Sequence, residues 1–401
     1  MFRWLAIASA VAVLFSIAVS QILLGAAIVA MVYARIPWRS PDLKWPFALY
    51  VGGSLVAALA SPEPLGSVPQ LKKILLLVIV PLLYTALRDT REAMQTVGLL
   101  VGVSVLSSAW SYVQFGRKYL EASRTGADFY LAYVAQRTTG FMSHWMTFGG
   151  EMVITWLLLM AVLFFALPDE RRIRWLSIGA AAVLALALLL NWTRSIQIAA
   201  LVAVGFLILR RRRRWILALP AIVGMSLTFA PMRARILSIV YPHGTVDSNQ
   251  HRIVTWRTGF EMVKAHPLLG LGPGQVSKQF ERYIPADIQR PLPDGYYGHL
   301  HHVFLQYAAE RGVPVLIAVL WLLGRVAWDY WGALRKASGV TAALLYGALA
   351  AWIATVIGGM FENNLENSEV LQLFLATLAI GYVAVREVSA VQRRESTDQR
   401  V

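Results

Sequence analysis

Apolar residues run along this chain in blocks of roughly membrane-crossing length, broken by short clusters of charge. Read as helices, the blocks predict about twelve spans, near 4–19, 21–34, 45–60, 71–87, 94–113, 146–167, 175–190, 195–209, 215–230, 303–324, 340–360 and 367–385. The first two are short and predict a tight helical hairpin. The series is interrupted by two polar stretches, 114–145 and the longer 231–302. In the second, Ser248 or Asn249 is placed to cap a helix, and Ile253, Trp256, Phe260 and Val263 recur at helical spacing. That pattern predicts an amphipathic helix on the bilayer surface, holding Arg252 at fixed depth and ending at His266-Pro267. Gly270-Leu271-Gly272-Pro273-Gly274 then predicts a tight turn that ends the helix. No strand precedes it and no Lys-Ser/Thr follows, so it does not read as a phosphate loop. Glu310-Arg311-Gly312 predicts a kink or helix end in the tenth span. The fold class expected is an all-α polytopic membrane protein. Residues 1–230 would hold spans one to nine, 231–302 a large loop with short helices, and 303–401 the last three spans with a short tail.

Composition agrees with the pattern. Hydrophobic residues are 57% of the 401 and charged residues only 15%, which excludes an ordinary soluble domain. With no cysteine, disulfides, thiol nucleophiles and cysteine metal sites are excluded. Phe2-Arg3-Trp4 leads into an apolar run with no clear cleavage site, so no removable leader is expected. The net charge of +15 has a topological component. Arg35, Arg39 and Lys44, Arg171, Arg172 and Arg174, and the run Arg210–Arg214 fall in alternate short connections, which marks that side, with Met1, as cytoplasmic. Lys72 and Lys73 are the main exception. The arginine run therefore reads as a membrane anchor and no nucleic-acid partner is expected. The outward segment 231–302 is also basic, with Arg233, Arg235, Arg252, Arg257, Lys264, Lys278, Arg282 and Arg290 against fewer acids. An anionic ligand at the membrane face suits that excess.

Candidate chemistry gathers at the loop's end. Three of the seven histidines stand in His299-Leu300-His301-His302, where the polar segment gives way to an apolar span. Imidazole titrates near neutrality, so a general base is the leading reading. Chelation of a metal by His299 and His301 is the alternative, without a nearby acid in sequence to complete it. Arg194 sits between two spans with almost no loop around it, a costly depth for an arginine that neither pairs nor serves a ligand. Its planar fork matches phosphate oxygens. Glu151 and Glu362, each at an outward helix end, are expected in structural pairing, with orientation of a histidine or pairing of an arginine open to either.

These residues resemble the O-antigen ligase superfamily, which also includes O-antigen polymerases and bacterial O-oligosaccharyltransferases. The resemblance rests on Asn-x-Thr-Arg-Ser at Asn191–Ser195, Arg-x-x-x-Trp at Arg252–Trp256, and His-Pro-Leu-Leu-Gly-x-Gly at His266–Gly272. It continues with His-x-His and Phe-Leu-Gln across His299–Gln306, and Glu-x-Gly at Glu310–Gly312. It covers about 185–325; elsewhere only the span pattern matches. Two departures stand out: His302 where the family places Asn, and Val313-Pro314 where a Gly-rich continuation is usual. The resemblance implies a GT-C-like multi-pass glycosyltransferase of the bacterial inner membrane with its site facing the periplasm. It would move an undecaprenyl-pyrophosphate-linked O-antigen to a sugar hydroxyl of the lipid A core in lipopolysaccharide biosynthesis. The transfer would invert the anomeric centre and use no metal or other cofactor. Arg194 and Arg252 would clamp the pyrophosphate, His301 would serve as base, and His299, His266 and Arg257 would contact substrate. The expected partners are that donor, that acceptor and membrane lipids. A polymerase joining lipid-linked repeats is the near alternative. A transporter or flippase for a lipid-linked glycan is the alternative of another class, though no internal repeat marks related halves.

Overall fold

The computed structural model describes residues 1–217, 220, 224, 233 and 248–398, and among them the secondary structure is helical throughout. Its helices are α1 Phe2–Ala12, α2 Ile17–Tyr33, α3 Lys44–Leu59, α4 Pro64–Ala86 (partly 3₁₀), α5 Thr90–Thr125, α6 Phe129–Ala135 and α7 Trp145–Phe165. They continue as α8 Arg171–Leu190, α9 Arg194–Arg211, α10 Ser248–Ala265, α11 Val303–Leu334, α12 Gly339–Gly359 and α13 Ser368–Asp398. Seven of the described helices are long and apolar enough to cross a membrane: α4, α5, α7, α8, α11, α12 and the Ser368–Arg393 part of α13. That is fewer than the twelve expected. Four of the remaining expected spans fall on helices that are too short or too charged to meet the same measure: α1, α2, α3 and α9. The expected span at 215–230 lies almost wholly outside the described residues, as do Arg235 and Asp247 of the long loop.

Several helices outrun their apolar blocks. α5 runs on to Thr125 where the apolar pattern ends near 113, because Asp89 caps its first turn by accepting from the Glu92 amide and Gly126 closes it with a left-handed residue at φ 67°. The expected hairpin of α1 and α2 is present. Ser9 and Ser20 exchange side-chain hydrogen bonds with each other's carbonyls at 2.8 and 2.6 Å, and Gln372 of α13 donates to the Ser20 hydroxyl at 2.6 Å. Small polar residues of this kind join helices where apolar burial offers no driving force. Three of the basic stretches meet around the end of α4 and the start of α5. Arg3 pairs with Glu92, Arg39 exchanges hydrogen bonds with Thr85, and Arg386 donates to the carbonyls of Tyr84, Leu87 and Arg88.

The expected kink is present at Gly312 of α11, whose φ of 82° and ψ of 164° break the helix. The glycine-rich segment does more than end a helix. Leu271 and Gly272 donate to the carbonyls of Ala309 and Glu310 at 2.8 and 2.9 Å, and Val313 donates to Pro267 at 2.8 Å. The loop thus supplies backbone partners that the broken helix lacks. It can do so because a Cβ at Gly312 would stand 2.0 Å from the Leu268 oxygen. Gly312→Ala should therefore destabilise by at least about 1–3 kcal/mol, the order of strain at such a backbone angle, read as a lower thermal midpoint in detergent.

α10 departs from its sequence pattern. Its inward face carries His251, Val254, Thr255, Thr258 and Met262, while Ile253 and Phe260 of the expected stripe are 48% and 56% exposed. Val254 and Met262 join Leu271, Val276, Phe280, Leu300 and Leu305 in a second small core, separate from the main one between the spans. That core fixes α10 and the histidine loop against the top of α11.

Candidate active site

The histidine loop is built for a defined ring orientation. Leu300 is fully buried in the second core, and its amide donates to Gln306 Oε1 at 2.8 Å. His301 then takes a left-handed φ of 50°, uncommon outside glycine. Its amide donates to His299 Nδ1 at 3.2 Å and its carbonyl accepts from Trp256 at 3.4 Å. His302 begins α11 as its N-cap, Nδ1 accepting from the Leu305 amide at 3.2 Å. Burial lowers the His302 imidazole below its ordinary value, which keeps that nitrogen an acceptor. The departure from the family's Asn thus preserves an acceptor at the cap. His302→Asn should leave the thermal midpoint nearly unchanged, whereas His302→Ala should lower stability by about 1 kcal/mol.

Glu362, in the turn after α12, is the point where separate segments meet. Its carboxylate is 6% exposed. Oε1 accepts from Arg252 Nη2 at 2.9 Å and from the Ser195 hydroxyl at 3.4 Å, and Oε2 faces His301 Nδ1 at 3.4 Å. Burial alone would raise this carboxyl, but the hydrogen bond from His301 and the charge of Arg252 outweigh it and hold it below the usual carboxylate range. The other ring nitrogen of His301 faces the Tyr296 carbonyl at 3.0 Å, which also meets His251 Nε2 at 3.1 Å. The His301 ring centre lies 4.9 Å from that of His251, edge to face, and 4.0 Å from that of His299. Burial, reinforced by the His301 charge, lowers His251 to about 4 and His299 to about 3. Both folded values lie below the ordinary 6.5, so the unfolded chain binds more protons in between. Stability should therefore be complete above about pH 6.5 and fall as the pH drops towards 4. His299→Gln should flatten that slope in thermal unfolding at pH 7 and pH 5; an unaltered slope would show that His299 is not its source.

Arg194 opens α9 beside this cluster. The turn before it is locked by Trp192, fully buried with φ 52° among Phe129, Tyr130 and Tyr133. Arg194 Nη2 donates to Asn249 at 3.5 Å, about one turn of α10 before Arg252. Arg137 joins the same corner, donating to Thr193 at 3.1 Å with its guanidinium 5.4 Å from the Trp145 ring centre. Sequence reading passed over Arg137, and its only signal was its place in the basic segment 114–145.

A cavity of about 790 Å³ opens beside the cluster, with Tyr296, His299, His301 and Glu362 among its walls. Arg194 and Arg252 are not on its walls; Arg252 stands behind the Glu362 carboxylate. Two expected contacts lie elsewhere. His266 meets Tyr283 at 2.8 Å on the exposed side of the loop, and Arg257 is paired with Asp287 at 2.8 and 2.9 Å in the open. Each is held there by a local partner. Glu151 also differs from its expected pairing. It is fully buried, and neither carboxylate oxygen has a partner among the described residues. Among the described residues no three His, Asp or Glu side chains are grouped to hold a metal ion.

A histidine and a carboxylate on a cavity wall, with an arginine bonded to that carboxylate, can neutralise a developing anion and move a proton, which is what group transfer from a phosphate leaving group needs. No curated protein matches the chain. A family model does: residues 179–320 match the O-antigen ligase family, a stretch that holds Arg194, Arg252 and His301 and ends before Glu362. With the motifs in order inside the match and apolar helices of membrane-crossing length around them, residues 179–320 are similar to the O-antigen ligase family.

Proposed function

We propose that the protein is an O-antigen ligase that moves a glycan from undecaprenyl pyrophosphate to a sugar hydroxyl of the lipid A core, at the periplasmic side of the inner membrane. The observation that carries this reading is the sharing of one buried carboxylate, Glu362, by Arg252 and His301. The bond from the anomeric carbon to the pyrophosphate oxygen breaks, and its electron pair leaves with the pyrophosphate. Arg252, exchanging Glu362 for phosphate oxygens, and Arg194 beside it neutralise that anion. The acceptor hydroxyl oxygen attacks from the opposite face, inverting the centre. His301 takes its proton once the ring has left the Tyr296 carbonyl, and Glu362 stabilises the imidazolium through Nδ1. The polyprenyl chain lies between the spans, towards lipid.

Purified protein given lipid-linked glycan and lipid A core should form a covalent product with chelator present; transport without product would sink the enzyme reading. The cellular lipopolysaccharide profile separates the two transferases. Loss of a ligase leaves bare core and polymer stranded on the carrier, whereas loss of a polymerase leaves core bearing a single repeat unit.

A further inference from the structure

The transfer scheme uses His301 and leaves the imidazole beside it, His251, without a role. His251 is on the inward face of α10, 6% exposed, and is not on the cavity wall. Its place is nonetheless closely built. Its ring centre lies 4.6 Å from that of Tyr297, whose hydroxyl donates to the Pro293 carbonyl at 2.6 Å. A Cβ at Gly295 would stand 2.2 Å from the His251 ring, so the chain passes it closely because residue 295 has no side chain. The result is that His251 Nε2 meets the Tyr296 carbonyl at 3.1 Å, the same oxygen that His301 Nε2 faces at 3.0 Å.

A carbonyl oxygen accepts and never donates, so each Nε2 bonded to it carries a hydrogen. For His301 that is the wrong nitrogen. A neutral ring carries one hydrogen, and the base needs it on Nδ1, towards Glu362, with the Nε2 lone pair free for the acceptor hydroxyl. The Tyr296 carbonyl, at 3.0 Å against 3.4 Å for Glu362, favours the other tautomer. His251 works against that preference. An oxygen that already holds one N–H is a poorer acceptor for a second, and it keeps a partner when His301 turns away. Burial lowers His251 to about 4, so at neutral pH it donates from Nε2 without placing a charge beside His301.

Resting on the proposed transfer reaction, we infer that His251 is a positioning residue for the base: by donating to the Tyr296 carbonyl it tips the His301 tautomer balance from Nε2–H towards Nδ1–H and frees the nitrogen that takes the acceptor proton.

Two measurements on detergent-solubilised full-length protein test it, both well above the ordinary imidazole value of about 6.5. His251→Phe keeps a ring in the site and removes the donor. In the transfer assay its kcat should fall about three- to tenfold while both KM values hold, the size of one net hydrogen bond lost from the chemical step alone. His251→Gln keeps an N–H and should recover most of that loss. Nitrogen NMR with isotope-labelled histidine reads the tautomer without turnover, His301→Asn identifying the His301 signals. In His251→Phe the His301 Nε2 resonance should move towards the protonated position, and in His251→Gln it should stay with wild type. Gly295→Ala crowds the His251 ring off the carbonyl and should act as His251→Phe does; it takes that variant's place if His251→Phe does not insert. An unmoved Nε2 resonance in His251→Phe overturns the positioning role, whatever the rate, and so does an equal loss of kcat in His251→Gln. Either result, with product from wild type, leaves the ligase reading standing. The expected resonance shifts with no product from wild type support the tautomer control and sink the ligase.

Discussion

Cells carrying His301→Ala should make lipopolysaccharide without transferred glycan, and the purified variant should lose about 10²–10⁴-fold in transfer rate, the usual contribution of a positioned acid–base group. Alanine alone is a flawed probe at this position. His301 sits at φ 50°, a region that Asn, Asp and His tolerate better than alanine does. His301→Asn keeps a residue suited to the turn while removing the imidazole. Both variants should be inactive, and His301→Asn should retain the wild-type thermal midpoint. Transfer at the normal rate by an inserted His301→Asn protein would falsify the base assignment. Arg252→Ala belongs to the same experiment. It removes the cation behind Glu362 and should lower the rate by about 10²–10³-fold, the cost of one lost contact to a developing anion. It also leaves Glu362 bonded to His301 and Ser195 without that cation, so its pH profile should differ from that of wild type. The Glu362 carboxyl is held below the usual range partly by Arg252. Loss of that charge moves its titration upward, and the acid limb of the rate profile should move up with it.

The largest effect on stability should come from Arg311→Met. Arg311 is 2% exposed and lies between Glu310 at 3.4 Å and Glu366 at 3.0 Å, with its guanidinium 5.1 Å from the Tyr307 ring centre. Removing it leaves two buried carboxylates with Lys73 as the remaining paired cation among the described residues, and breaking a buried pair from one side costs about 3–5 kcal/mol. The variant should accumulate poorly and unfold at a clearly lower temperature. Adding Glu310→Gln should recover part of the loss, because the two changes share one network and are not additive. An unchanged midpoint in the single variant would show that the network is not structural. The network matters for the site as well as for the fold. Gln306 ties Glu310 to the Leu300 amide, so the same chain of contacts ends at the backbone of the histidine loop.

Reading residues in order went far in this protein because a membrane imposes a strong local code. Apolar block length, the arginines of alternate connections, the proline after His266 and the glycine after Arg311 each act within a few residues of where they stand. The helices, the α1–α2 hairpin and the α11 break followed from such signals. Half of the stripe on α10, Trp256 and Val263, packs against the second core, and the other half misled because period alone does not say which face meets protein. Val254, Thr255 and Met262 turn inward, since the second core lies on their side, while Ile253 and Phe260 face away. Likewise the glycines after Leu269 read as a plain turn, because their role depends on carbonyls of a helix some forty residues on.

The chain's own order determined that it is a multi-pass helical membrane protein, and it marked Arg194 as too polar for its place and the histidine run as a titratable cluster where a polar segment meets an apolar span. What only tertiary structure decided is which of them meet. Glu362 read as a pairing acid of open partner until folding set it 2.9 Å from an arginine more than a hundred positions earlier. Arg257 and His266 stand close in sequence to the same features yet point to other partners. Polarity at depth is a one-dimensional property, readable from any residue's neighbours along the chain. A charge's partner is set by how helices pack, and that is recorded nowhere in the local order.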